Sequence, residues 1–314
     1  MPRDAGRRGD PPPPPPPLGV PVVDDHCHLG LAHPAADPAA AAAGPAAGDA
    51  STSSTSSTAS RPVGRPLGLD EAHARAAAAG VDRIVTVGTD VESSRWAVRA
   101  AHEHREVVAA VAVHPNEAPG LAAAGRLDEA LAEIDALAAD PRCRAVGETG
   151  LDWFRTDRAD AAAVAAQRRS FAAHVEIARR HGKALQIHDR DAHADVLDLL
   201  DEVGAPEHTV LHCFSGDAAF ARACADRGHV LSFAGNLTFA NADALRAAAA
   251  VTPLDQLQVE TDAPFLTPVP HRGQPNASYL VPLTVRCLAA VTGTEIDALA
   301  SALHATTRRV YGDW

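Results

Sequence analysis

Six residues of the 314-residue chain have the types and spacing for metal-assisted chemistry. In VVDDHCHLG, His26 and His28 stand two apart, so the two-residue period of an extended chain sets both imidazoles on one side and turns Cys27 away. Glu148 lies in AVGETGLDWF, His188 in LQIHDRD, His212 in VLHCFSG and Asp262 in LQVETDAPFL. Each falls at or just past the end of a short β-rich run. Zinc takes imidazole and carboxylate, whereas magnesium and manganese favour carboxylate and water. Six such groups exceed what one ion needs if it keeps a place for water, so the pattern points to two divalent cations. His26, His28, Asp262 and Glu148 would hold one, and His188, His212 and Glu148 the other, with Glu148 as the bridge. A single His among sixteen is more often a surface or core residue; four imidazoles and two carboxylates explain one another.

Cysteine and serine chemistry fit less well. Alternation turns Cys27 and Cys213 away from the neighbouring histidines, and Ser215 and Thr149 have no G-x-S-x-G elbow around them. The histidines at 102, 104, 181, 193, 208, 229 and 304 fall in helices or at their ends, where a solvated place is expected.

The elements that must position these groups alternate. Strands are predicted at Val22–Asp24, Arg83–Val87, Val107–Val113, Ala145–Glu148, Ala184–His188, Thr209–His212, His229–Phe233 and Leu257–Glu260, most of them separated by helical patterns. Helices at Tyr279–Val291 and Glu295–Tyr311 close the list. Eight strands with intervening helices predict an α/β fold, a (β/α)8 TIM barrel with the polar strand ends gathered at its C-terminal mouth. A doubly wound sheet would need a Gly-rich loop after its first strand, where this chain has DDHCHLG. Residues 1–18 form a Pro-rich tail expected to be extended and disordered. Residues 19–314 form one domain, with a low-complexity insertion at about 33–66 whose few large apolar groups cannot offset the entropy of ordering it.

The formal charge of −12 argues against a protein that grips nucleic acid through a broad basic surface, although bound cations can supply positive charge at one phosphate. Five cysteines without a C-x-x-C pair fit a reduced cytoplasm, and no apolar run suits a membrane span or a signal peptide.

The blocks DDHCHL, VGTD, AVHPNEA, AVGETGLDWF, LQIHDRDAHADVL, VLHCFSG, LSFAGNLTF and VETDAPFLTPVPHRGQPN, in this order, resemble the TatD family of metal-dependent deoxyribonucleases, a branch of the amidohydrolase-like barrels. The likeness covers nearly all of the chain outside the two biased segments. It implies hydrolysis of DNA with divalent cations, often as a 3′ to 5′ exonuclease on single strands. It also matches His26, His28, Glu148, His188, His212 and Asp262 to the family's metal ligands. Asp25 stands where Ser or Thr is frequent, and ATTRR replaces a closing segment that often carries Asn before Arg.

The mechanism expected from these residues is two-metal activation of water, with Asp262 as ligand and proton acceptor and Glu148 holding the ions at the right separation. The cations would be magnesium, manganese or zinc. Arg190 is a candidate phosphate clamp, with an ion pair to Asp189 or Asp191 as its rival role; His114 could meet a phosphate or act as an acid, and His271 and Arg272 could contact a substrate strand. Asp24 or Asp25 could orient an imidazole. Trp153, Phe154 and Phe214 could stack bases or pack in the core. The partner is then single-stranded DNA or another phosphodiester, met by a monomer. Two rivals remain at this point: a hydrolase of a small phosphodiester, ester or amide on the same metal mouth, and a nucleic-acid-binding protein whose metals are structural. Many dinuclear barrels bridge their ions with a carboxylated Lys after strand four; that place is Glu148 here, and the only Lys is Lys183.

Overall fold

A computed structural model describes residues 10–32 and 68–314. Eight parallel strands run in chain order around one sheet: β1 Val22–Cys27, β2 Val81–Val87, β3 Val107–Val111, β4 Cys143–Asp152, β5 Ala184–Arg190, β6 Thr209–Leu211, β7 Val230–Phe233 and β8 Leu257–Val259. The α-helices among the described residues are α1 Leu29–Ala32, α2 Leu69–Ala78, α3 Val91–Glu103, α4 Ala118–Ala123, α5 Leu127–Ala138, α6 Ala161–His181, α7 His193–Val203, α8 Ala218–Ala225, α9 Asp243–Val251, α10 Val281–Thr292 and α11 Ile296–Tyr311. The expected (β/α)8 barrel is therefore the fold. No helix among the described residues is long and apolar enough to cross a membrane.

The strands read as apolar runs because both of their faces are covered. Small side chains, among them Val85, Val108, Ala110, Ala145, Ala184, Val210 and Val230, fill the barrel, and Val310 and Tyr311 of α11 join that cluster. Ile84, Val107, Val146, Leu185, Ile187 and Leu231 face outward into the helical layer. Asp side chains cap three of these helices: Asp90 with Ser93 at α3, Asp160 at α6 and Asp217 at α8.

The sheet is nearly closed, and polar contacts complete the seam between β1 and β8. The Asp262 amide donates to the His26 carbonyl at 3.0 Å, and the His28 amide donates to Ala263 at 2.8 Å. Asp24, buried under the seam, accepts from the Thr261 amide at 2.8 Å and its hydroxyl at 2.7 Å.

Three pairings carry an irregular register, β1 with β2, β3 with β4 and β4 with β5, and two of the shifts fall at candidate ligands. Asp24 pairs with Ile84 and Cys27 with Thr86, so β1 spends one extra residue around His26. Val146 pairs with Leu185 and Thr149 with Ile187, so β4 spends one extra residue at Gly147–Glu148. Such bulges re-aim side chains. They explain a difference from expectation: β4 does not end at Glu148 but continues to Asp152, and Glu148 turns inward from within the strand. Gly150 permits this closeness, since its φ is +143° and a Cβ there would lie 2.0 Å from the His188 carbonyl oxygen.

Residues 10–18, expected within a disordered tail, pack against the barrel. Burial recurs every third residue at Pro12, Pro15 and Leu18, the period of a polyproline II helix. A proline run offers carbonyls but no N–H, so its dock must donate. The Tyr279 hydroxyl bonds Pro12 O at 2.8 Å, and Arg286 bonds Pro16 O at 2.8 Å and Pro17 O at 3.1 Å. The rest of that tail and the 33–66 insertion lie outside the described residues.

Candidate metal centre

Glu148 stands at the centre of the barrel mouth, almost fully buried, and its two oxygens face two groups of imidazoles. Oε2 lies 3.7 Å from His26 Nε2 and 3.6 Å from His28 Nε2, and His28 Nε2 lies 3.5 Å from Asp262 Oδ1. Oε1 lies 2.7 Å from His188 Nδ1, 2.8 Å from His212 Nε2 and 3.3 Å from His114 Nε2. His212 also stacks on His26 at 3.8 Å between ring centroids, and ligand atoms of His26, His212 and Asp262 fall within 4.8 Å of one another. Strands β1, β4 and β5, the residues just past β1 and β6, and the turn after β8 thus bring all six sequence candidates together. Asp262 sits in that turn at φ +52°, a conformation that Asp tolerates better than most residues.

The outer nitrogen of each of the four imidazoles among these six candidates is tied to an oxygen acceptor. His26 Nδ1 donates to Gln186 Oε1 at 3.1 Å, and His28 Nδ1 to the Val87 carbonyl at 3.1 Å. His212 Nδ1 donates to Glu260 Oε1 at 3.2 Å, and His188 Nε2 to Asp152 Oδ2 at 3.2 Å. A neutral imidazole that donates on its outer side presents a lone pair on its inner side, as a metal ligand must. His26 Nε2 is buried and makes no hydrogen bond among the described residues. The residues present therefore fit a divalent cation.

His114 is different. Its Nδ1 accepts from the Asn116 amide at 3.1 Å, so in the neutral ring the proton sits on Nε2 and points at Glu148. It offers the mouth a donor where the other four offer acceptors.

The electrostatics follow this layout. Burial would push the His212 imidazole down, but Glu148 and Glu260 outweigh it and hold His212 well above the usual range. Burial also opposes charge on His188 and His28, whose pKa values nevertheless rise: Asp152 and Glu148 act on His188, Asp262 and Glu148 on His28. His26 goes down, through burial and then the neighbouring His212. Burial would raise Glu148, yet His212, His114 and His188 hold it well below the carboxylate range.

Several expected roles change. Neither Asp24 nor Asp25 orients an imidazole: Asp24 holds Thr261, and Asp25 accepts from Ser232 at 2.8 Å. Gln186 does that work for His26, and it donates in turn to the Tyr311 hydroxyl at 2.7 Å. Gln186, Asp152 and Glu260 were not singled out in the sequence, although Gln186 and Glu260 each stand two positions before a candidate ligand, on the same side of the chain. Cys213 lies beyond β6 at φ +43°, where strand alternation no longer applies; its thiol is pushed well up by burial and then by Asp262, Glu260 and Glu148. His229 is buried, not solvated, and burial lowers its pKa to about 4.

At the rim, the Arg190 guanidinium lies 3.8 Å over the Phe154 ring, and Phe154 is 56% exposed. Asp189, a rival partner for Arg190, instead bonds His193 at 2.7 Å. Arg272 is exposed and lies 3.8 Å over the Phe239 ring, while His271 is half-buried in the same loop. Phe214 is buried against Phe220 and Phe233, so packing claims it, and Trp153 Nε1 is bound to Asp195 at 2.8 Å.

The family described as TatD related DNase matches residues 23–312. The chain is 49% identical over 239 residues to a Mycobacterium tuberculosis protein named uncharacterized metal-dependent hydrolase TatD, covering 76% of this chain and 89% of that one. It is 37% identical over 201 residues to a Cronobacter turicensis protein named 3′-5′ ssDNA/RNA exonuclease TatD, covering 63% and 73% of the two. The crystal structure of YJJV, a TatD homolog from Escherichia coli, has the same fold, with a TM-score of 0.75 at 23% identity over 93% of this chain and 98% of that one. With a matching family over nearly its whole length and a barrel mouth lined by imidazoles and carboxylates, the chain belongs to the TatD family of metal-dependent hydrolases.

Proposed function

We propose that the protein cleaves phosphodiester bonds in single-stranded DNA from the 3′ end, with two divalent cations held by His26, His28, Glu148, His188, His212 and Asp262. The observation that carries this reading is the split of Glu148, whose two oxygens each face a separate set of imidazoles. Relatives named as 3′-5′ ssDNA/RNA exonucleases support the substrate class. Magnesium, manganese or zinc, once bound, would neutralise phosphate oxygens and lower the pKa of water.

The chain's own residues do the rest. Glu148 holds five imidazoles in register. Asp262 Oδ1, 3.5 Å from His28 Nε2, accepts the proton of the attacking water. His114, with its proton on Nε2, donates to the leaving oxygen. Phe154 and Arg190 form a stacked pair at the exposed rim, a face for one base and a guanidinium for its phosphate. His271 and Arg272 extend the contact along the strand. A monomer suffices, since one chain supplies every residue named. Five free cysteines suit the reducing cytoplasm.

The test uses single-stranded DNA labelled at either end, with chelator-stripped protein, each of the three metals added back, and Asp262→Asn as control. Metal-dependent shortening from the 3′ end that the control lacks supports the reading. Metal-loaded protein that leaves DNA intact but hydrolyses a small phosphodiester, ester or amide would refute it.

A further inference from the structure

A second cluster of metal-ligating side chains lies at the opposite end of the barrel, where strands begin. His73 projects from the middle of α2, His104 follows the last turn of α3, and Glu106 leads directly into β3. His73 Nδ1 lies 2.9 Å from Glu106 Oε1, and the His73 and His104 rings meet edge to face at 5.0 Å. One ligand atom from each of the three falls within 4.8 Å of the other two. A tetrahedral centre with bonds of about 2.0–2.1 Å spaces its donors about 3.3 Å apart, so small side-chain rotations close the set.

The backbone is already fixed. The Glu106 carbonyl accepts from the Ile84 amide at 3.0 Å and from Trp314 Nε1 at 3.1 Å, and the His104 carbonyl accepts from the Val107 amide at 3.0 Å. Beside the cluster opens a cavity of about 750 Å³ lined by His73, Glu106, Asp70, Arg83, Arg105 and Trp314. The close contact between His73 and Glu106 accounts for two members of the cluster; it does not account for His104 closing on the same pair.

We propose that His73, His104 and Glu106 bind one divalent transition-metal ion of the zinc class at the N-terminal face of the barrel, with a fourth position open to the cavity. Two imidazoles select zinc, cobalt or nickel over magnesium and calcium. One carboxylate leaves the ion with residual positive charge, so the open position suits water or a small anion. Such an ion would tie α2, the end of α3 and the start of β3 together. This site shares no residue with the mouth, and the proposal does not depend on the reaction performed there.

The full chain, stripped with chelator, is loaded with zinc or cobalt, freed of excess metal by gel filtration and analysed for metal per chain. His104→Ala should hold one equivalent less than the wild type and keep its hydrolytic rate, whereas His104→Cys, which restores a zinc ligand, should regain that equivalent. Cobalt adds a signature, since four-coordinate cobalt gives intense visible bands that His104→Ala should lose. Equal metal content and equal cobalt spectra in the wild type and His104→Ala would overturn the proposal. If His104→Ala does not fold, Glu148→Gln decides: cobalt bands that persist with the mouth disabled and vanish on adding Glu106→Gln support the site, and bands unaffected by Glu106→Gln overturn it.

Discussion

Acidification should weaken this fold through one buried histidine away from the metal centre. His174 in α6 is fully buried; its Nδ1 donates to the Ser170 carbonyl at 2.6 Å, and its Nε2 accepts from the Val113 amide at 3.0 Å. Both nitrogens are committed, and a second proton would set a donor against the Val113 donor. Burial accordingly lowers the pKa to about 4 from 6.5. The unfolded chain therefore binds the proton more readily, so this contribution is complete above 6.5 and is lost as pH falls from there through 4. Each pKa unit is worth about 1.4 kcal/mol, so bringing the protein from about pH 7.5 to about pH 4.5 should remove roughly 2–3 kcal/mol through His174 alone. Urea unfolding of the chelator-stripped protein, followed by tryptophan fluorescence, measures the loss at both pH values. His174→Gln keeps an acceptor for the Val113 amide but does not titrate, so its loss should be smaller by that amount, while contributions from His229 and the mouth cancel in the difference. Parallel losses in the two proteins would show that the His174 proton is not excluded by the fold and would refute the argument.

Four further outcomes follow from the mouth. Replacing His114 with Gln should lower kcat about 10²- to 10⁴-fold with metal content unchanged, measured by steady-state hydrolysis beside metal analysis; loss of metal instead would make His114 a ligand. Gln186→Leu removes the acceptor that fixes the His26 tautomer and should weaken metal affinity about 10- to 100-fold in a chelator competition titration. Phe154→Ala should weaken binding of a single strand by about 1–3 kcal/mol, seen as a raised KM, while hydrolysis of a small phosphodiester stays as it was. Gly150→Ala should cost folding yield or metal loading, since its Cβ meets the backbone that carries His188; normal loading would show that β4 and β5 can separate freely.

The barrel and the six mouth residues were legible because buried parallel strands are apolar throughout, so a histidine or carboxylate at a strand end stands out against its neighbours. Other features were hidden for separate physical reasons. The bulges at His26 and Glu148 come from register between strands, which one strand's sequence does not carry. The orienting pairs His26–Gln186 and His212–Glu260 join residues far apart in the chain, so spacing places Gln186 and Glu260 beside ligand candidates without showing which imidazole each one meets. Composition alone makes the proline segment look disordered, whereas the threefold period of an extended proline helix puts Pro12, Pro15 and Leu18 on one buried side. The His73 cluster draws on a helix, a helix end and a strand entry, and each histidine alone looks like an ordinary helix residue.

The contact between Gln186 and Tyr311 also bears on when the enzyme comes into being. His26 is oriented by Gln186, and Gln186 by the Tyr311 hydroxyl at the end of α11. A ribosome makes the ligand strands before it makes that hydroxyl. Nascent fragments that already hold all six mouth residues still lack the group that completes the first imidazole's orientation. The order of synthesis thus places this orienting contact after every mouth residue has been made.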